Sequence, residues 1–239
     1  MDTLLPMYDE KLGEQFLPYP EQVTLDENGH REAHYHIDSI PGGGQVVLTQ
    51  KYAVTVSGLV YTFDRTAVAD SYSTLEQLIY YSYLQPENGI ESTDPQILSF
   101  MKQSVGSETN PYRIARALFS AVNLKLTYVD DDSLDQSTLA TLKRGTGDCA
   151  GYTNLYIALL RAAGVPARQL SGYLYVPAKN VSDQYVDPET GAVRLNQLRH
   201  VWVEFYLPQL GWVLADPTFT YTYQINGVIQ KFVDWNYFA

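Results

Sequence analysis

Between residues 74 and 233 of this 239-residue chain, helical and strand-like signals are segregated rather than alternating. The strong helical patterns all precede Gly164. After it come only short aromatic and β-branched runs, "ARQLSGYLYVP", "RHVWVEFYL", "GWVLADPTF" and "TYQINGVIQKFV", parted by turn residues. Short successive strands parted by turn residues are the mark of an antiparallel sheet, whereas parallel strands need long crossover connections, usually helices. The segregation therefore predicts an α+β fold, with helices packed on one side of an antiparallel sheet.

The helix signals are specific. "DPQILSFMKQSVG" and "NPYRIARALFSAVN" each open with a capping side chain, Asp94 or Asn110, followed by Pro at the first helical position. "STLEQLIYYSYL" and "STLATLKRG" add two shorter helices, the second closed by Gly145. Beyond Cys149, residues Tyr152, Leu155, Tyr156, Leu159, Leu160 and Ala163 share one helical face, and Gly164 and Pro166 stop the pattern. Between the helices, "LKLTYVDDD" reads as a short extended piece. Residues 1–44 are polar and rich in Gly and Pro, and read as an irregular arm with one strand around "REAHYHID". "LTQKYAVTV" and "LVYTF" then suggest two strands. The chain is expected to divide into an N-terminal extension, residues 1–90, and a catalytic core, residues 91–239.

Composition removes several classes of function. A net charge of −11 argues against nucleic acid, whose phosphates require clustered Lys and Arg. No apolar stretch approaches the roughly 20 residues of a membrane-spanning helix. One cysteine cannot form an internal disulfide, so cysteine usage does not reveal the compartment. The opening residues lack the marks of a secretory signal. A cytoplasmic location, or an extracytoplasmic one after removal of a signal or anchor, both stay open.

That single cysteine stands in "GTGDCAGYTNLYIALLRAAGVPAR", at the start of the firmest helix. The positive end of a helix dipole and free backbone N–H groups there suit an anionic sulfur nucleophile. Gly145, Gly147 and Gly151 would let a substrate carbonyl approach the backbone. An isolated cysteine in such a place is more often a small buried residue. The second half of the chain changes the balance. If "HVWVEFY" and "GWVLAD" form a hairpin, pairing Tyr206 with Leu210 or Gly211 sets His200 opposite residue 216 or 217, and Asp216 becomes its neighbour. A thiol, an imidazole to take its proton and a carboxylate to orient the imidazole make up a nucleophilic triad.

The block around Cys149, the "GYLYV" strand and "RHVWVEFYLPQLGWVLADPTF" together resemble the transglutaminase-like superfamily, in its bacterial branch related to papain-type cysteine peptidases. The resemblance covers roughly residues 95 to 220. It implies a papain/transglutaminase-like core with Cys149 as nucleophile, His200 as base and Asp216 orienting the histidine. Tyr128 would stand near the oxyanion. The implied activity is acyl transfer on peptide or carboxamide substrates. Hydrolysis by a peptidase or amidase is favoured, and transfer from protein glutamine to an amine is the alternative. A scaffold that binds peptides or glycans without chemistry is the contrasting possibility.

The chain departs from the animal enzymes, which carry a tryptophan right after the cysteine, and it has no calcium-type acidic cluster. The run Asp130, Asp131, Asp132 reads as a solvated or capping segment. His30, His34 and His36 read as part of the polar arm rather than as ligands, so no metal or other cofactor is expected. Trp202 and Trp212 read as packing under the hairpin. The polar stretch 178–199 reads as a loop beside the site that contacts substrate.

Overall fold

The computed structural model describes residues 6–25, 31–58, 61–174, 186, 198–226 and 228–238. It has a smaller unit, Pro6–Leu59, and a larger one beginning at Val60. In the smaller unit β1 (Pro6–Leu17) and β4 (Thr49–Gly58) form an antiparallel ribbon running from Pro6↔Gly58 to Leu17↔Thr49. Two register shifts, between Tyr8/Glu10 and Lys11/Gly13, interrupt it. A second antiparallel pair joins β2 (Gln22–Leu25) to β3 (Arg31–His34). The strand expected around "REAHYHID" is thus present as β3, and "LTQKYAVTV" as β4. Reading residues 1–44 as irregular missed β1 and β2. The partner of β1 is remote in sequence, and two bulges break the period-two alternation by which a strand announces itself.

The larger unit begins with a correction. "LVYTF" is no strand over its described part, because Tyr61 and Phe63 are irregular and serve as an aromatic plug. Phe63 meets Tyr112 edge-on at 5.7 Å, and the Tyr61 hydroxyl accepts a hydrogen bond from the backbone N–H of Leu214 at 2.9 Å. A 3-10 turn, Thr74–Glu76, leads into α1 (Gln77–Ser82). Next come α2 (Pro95–Val105) and α3 (Pro111–Lys125), each with the expected cap. Asp94 accepts from the N–H of Gln96 at 2.7 Å, and Asn110 from that of Arg113 at 3.2 Å. The chain continues through β5 (Thr127–Tyr128) and α4 (Thr138–Arg144), which Gly145 closes at φ 75°. Then β6 (Thr146–Gly147) leads into α5 (Cys149–Ala162).

The sequence pattern of α5 shows one apolar face, but every residue of the helix from Gly151 to Arg161 except Asn154 is buried. It packs against α2, α3, α4 and the sheet, so its polar side chains also need internal partners. Tyr152 donates to the carbonyl of Leu126 at 2.8 Å and Tyr156 to that of Ala115 at 3.0 Å. Arg161, its side chain 2% exposed, donates through Nε and Nη2 to the carbonyl of Ala167 at 3.0 and 2.8 Å. Its Nη1 meets the Gln85 carbonyl and the Glu87 carboxylate, each at 2.6 Å. One guanidinium thereby ties the end of the central helix to the first residue of the sheet.

That sheet is three-stranded and antiparallel, in the order β7 (Ala167–Tyr173), β8 (Arg199–Leu207), β9 (Gly211–Ala215). Val203, Phe205 and Leu207 alternate along β8 into the core, as a half-covered sheet requires. The hairpin from β8 to β9 pairs Tyr206 with Trp212 and Leu207 with Gly211. This register differs by one or two residues from the one expected. The loop is Pro208, Gln209 and Leu210, with Gln209 at φ 65° and Gly211 at φ 91°. The positive-φ residues close it one or two steps further along β9 than the sequence reading assumed. A last hairpin, β10 (Thr220–Ile225) and β11 (Val228–Val233), precedes a 3-10 turn, Trp235–Tyr237. There the carbonyl of Tyr237 accepts from the N–H of Asp216 at 2.9 Å and holds the chain just beyond β9.

Candidate active site

Cys149 is the first residue of α5 and is partly exposed. Asp148 caps the helix, its carboxylate accepting from the N–H of Ala150 at 2.8 Å and of Gly151 at 3.1 Å. Two of the first-turn amides that the sequence reading counted among the free ones are therefore taken. The N–H of Cys149 itself donates to no acceptor among the described residues.

The glycines also have a different use. A Cβ on Gly151 would lie 2.5 Å from Gln136 Oε1, and one on Gly147 would lie 3.2 Å from the same oxygen and from Thr141. Both residues are small so that α4 and the Gln136 segment can pack against the start of α5. Substrate approach is not needed to explain them.

His200 is the second residue of β8 and is 6% exposed. Continuing the β8–β9 register beyond Val203↔Ala215 would put Asp216 across from Trp202, so His200 and Asp216 lie on one face of the sheet as diagonal neighbours. Their side chains meet there, with His200 Nε2 and Asp216 Oδ2 2.6 Å apart. The second oxygen of Asp216 accepts from the N–H of Thr218 at 3.0 Å. Asn123, fully buried on α3, donates to the carbonyl of Pro217 at 2.8 Å and fixes the turn that presents Asp216. Two rings flank His200: Trp202, stacked at 6.0 Å, and Phe219 at 5.8 Å. Trp202 thus packs beside the imidazole, while Trp212 packs away from it against Tyr83, Tyr206 and Arg168.

Burial alone would pull the His200 imidazole down. Its hydrogen bond to Asp216, the adjacent Cys149 sulfur and the charges of both outweigh that effect, and its pKa is pushed up to about 9. The ring is accordingly charged at neutral pH. Tyr128 comes to the same place by another route. β5 and β6 make a two-residue parallel bridge, Thr127↔Thr146 and Tyr128↔Gly147, which sets Tyr128 beside the Asp148–Cys149 step. Its phenol is pushed up to about 12, chiefly by burial and then by the negative charge of Cys149, Asp130, Asp148 and Asp216.

All four predicted residues thus lie close together, with Cys149, His200 and Tyr128 lining a cleft of about 1060 Å³. Asp130, Asp132 and Asp148 line it as well, so part of the acidic run belongs to the site. The sequence reading also missed Asn123, Phe219 and the end of β7. An asparagine on the apolar face of a helix was a legible signal for Asn123, because burying an amide requires a purpose. His34 and His36, by contrast, contact Thr24 at 2.7 Å and Asp38 at 3.0 Å. His30 and nearly all of the substrate-loop stretch 178–199 lie outside the described residues.

Residues 99–217 match the family described as the transglutaminase-like superfamily. An uncharacterized Bacillus subtilis protein, YebA, is 24% identical over 242 residues, covering 92% of this chain and 31% of its own length. A protein-glutamine gamma-glutamyltransferase of Pseudomonas aeruginosa is 35% identical over 75 residues, 31% of this chain and 10% of its own. This chain therefore spans less than a third of either relative. A solved structure of a candidate cysteine protease from Cytophaga hutchinsonii superposes with a TM-score of 0.59 at 18% identity, over 98% of this chain and 73% of that one. That likeness is one of fold.

Proposed function

We propose that this chain, whose residues 99–217 match the transglutaminase-like superfamily, is a cysteine-dependent acyl-transfer enzyme acting on peptide or carboxamide substrates. The observation that carries the reading is the buried His200–Asp216 pair, 2.6 Å apart, beside the sulfur of Cys149. Asp216 occupies Nε2 and leaves Nδ1 to exchange a proton with the thiol. The Cys149 thiolate attacks the carbonyl carbon and the carbonyl π pair moves onto oxygen. The N–H of Cys149 and the hydroxyl of Tyr128 donate to that oxyanion. As the intermediate collapses, the C–N bond breaks and the departing amine takes a proton from His200. The thioester that remains is resolved by water, which gives up its proton to His200 and releases the acid product and the thiol.

Hydrolysis is the favoured outcome, because Cys149 is partly exposed and its cleft admits water. Amine transfer in place of water is the second reading, supported by the likeness to the Pseudomonas glutamyltransferase. Mass spectrometry of a peptide library incubated with the protein, with and without a primary amine, separates the outcomes. Cleaved or deamidated peptides indicate hydrolysis, amine adducts indicate transfer, and both vanish in Cys149→Ala. An unchanged library, together with iodoacetamide labelling of Cys149 no faster than a free thiol at pH 6, leaves only the binding scaffold.

A further inference from the structure

Among the described residues β7 is an edge strand of the sheet and runs beside the cleft, and its hydrogen-bonding groups divide sharply along its length. Leu174 N–H donates to the Leu198 carbonyl and Tyr206 N–H to the Pro166 carbonyl, both at 2.8 Å. In the antiparallel register of β7 and β8, this turns the N–H and C=O of residues 166, 168, 170, 172 and 174 toward β8. Those of 167, 169, 171 and 173 face away. At the far end the outward groups are used: Ala167 N–H donates to the Tyr83 carbonyl at 3.3 Å, and the Ala167 carbonyl accepts from Arg161. At Gln169, Ser171 and Tyr173 no backbone partner occurs among the described residues, and all three are exposed. Ser171 and Tyr173 line the same cleft as Cys149.

An open strand edge is a template for another strand, and proteins ordinarily blunt such edges with Lys, Pro or a bulge. This stretch has none of these. Among the described residues the cleft is also negatively biased, with Asp130, Asp132 and Asp148 against Arg199 and His200.

We propose that the β7 edge at Ser171 and Tyr173 binds the substrate as an added strand, and that the substrate is an extended polypeptide with a basic side chain near the reacting carbonyl. This rests on the acyl-transfer reading and specifies its substrate class. Main-chain bonds to Ser171 and Tyr173 supply affinity independent of sequence, and the aspartates select charge.

The test is the rate at which Cys149 is alkylated by Ala-Ala-Lys chloromethyl ketone, followed by mass spectrometry. Three comparisons are made: the same reagent with its central amide N-methylated, the reagent with Glu in place of Lys, and iodoacetamide, which needs no strand. Losing one pair of main-chain bonds slows alkylation about tenfold, and so does the charge reversal. On the protein side, Ser171→Pro removes an outward N–H without touching the β8 ladder, and lowers the ratio of peptide to iodoacetamide rates about tenfold. Equal rates for the parent and N-methylated reagents overturn strand addition, whether or not the proline variant folds. Equal rates for Lys and Glu overturn the basic substrate. A slow iodoacetamide reaction would instead count against the activated thiol, and the relative peptide rates still report on the edge.

Discussion

Asp216→Asn removes the charge from a pair whose side chains are 6% and 5% exposed, while keeping shape and an oxygen to accept from Thr218. The new amide N–H faces His200 Nε2, which must then accept. The ring proton moves to Nδ1, the wrong tautomer for taking a proton from the thiol. In the native protein burial lowers His200, while Asp216 and then Cys149 raise it from the ordinary 6.5 to about 9. At about 1.4 kcal/mol per pH unit, that difference corresponds to roughly 3 kcal/mol. Since the folded value is the raised one, this stabilisation is complete below about pH 6.5 and is lost as pH climbs through about 9. Urea unfolding at pH 6, 7.5 and 9.5 should show native stability falling by about 3 kcal/mol over that window as His200 loses its proton. The variant, which keeps only the Cys149 contribution, should show a clearly smaller loss. Acylation should fall by about 10²- to 10⁴-fold. Identical pH slopes for the two proteins would refute this account of what holds the proton on His200.

Tyr128→Phe should lower the rate of acylation by about 10²-fold with little change in KM, since a phenol held at about 12 stays a donor throughout the working range. Pre-steady-state thioester formation measures this. Asn123→Ala leaves the buried Pro217 carbonyl unpaired and should cost about 1–3 kcal/mol. It should also slow iodoacetamide labelling as the turn bearing Asp216 loosens. Arg161→Met strips the guanidinium from three acceptors far from the cleft and should cost about 3 kcal/mol in urea unfolding. Labelling of its folded fraction should keep the native rate.

Local chemistry made the helices legible. Asp94-Pro95 and Asn110-Pro111 specify starts, and Gly145 specifies a stop, without reference to the rest of the fold. The hairpin carrying His200 and Asp216 was legible as a hairpin but not in register, because register depends on φ at Gln209 and Gly211. Diagonal contact still joined the two residues, since they share a face and a histidine spans that distance. Tyr128 comes close to Cys149 through a parallel bridge of only two residues, too short to leave a periodic trace. The packing role of Gly147 and Gly151 was missed for the same reason: what they make room for is the Gln136 side chain, a neighbour in space and not along the strand or helix.

The cap on α5 has a bearing on inhibition. A helix start ordinarily offers a perch to phosphate, sulfate or other small anions. Here the Asp148 carboxylate already sits on the amides of Ala150 and Gly151 and holds the place from within. Buffer ions should therefore neither shield Cys149 from alkylation nor compete with a neutral carbonyl, and assays in phosphate and in Tris at matched ionic strength should give the same rate.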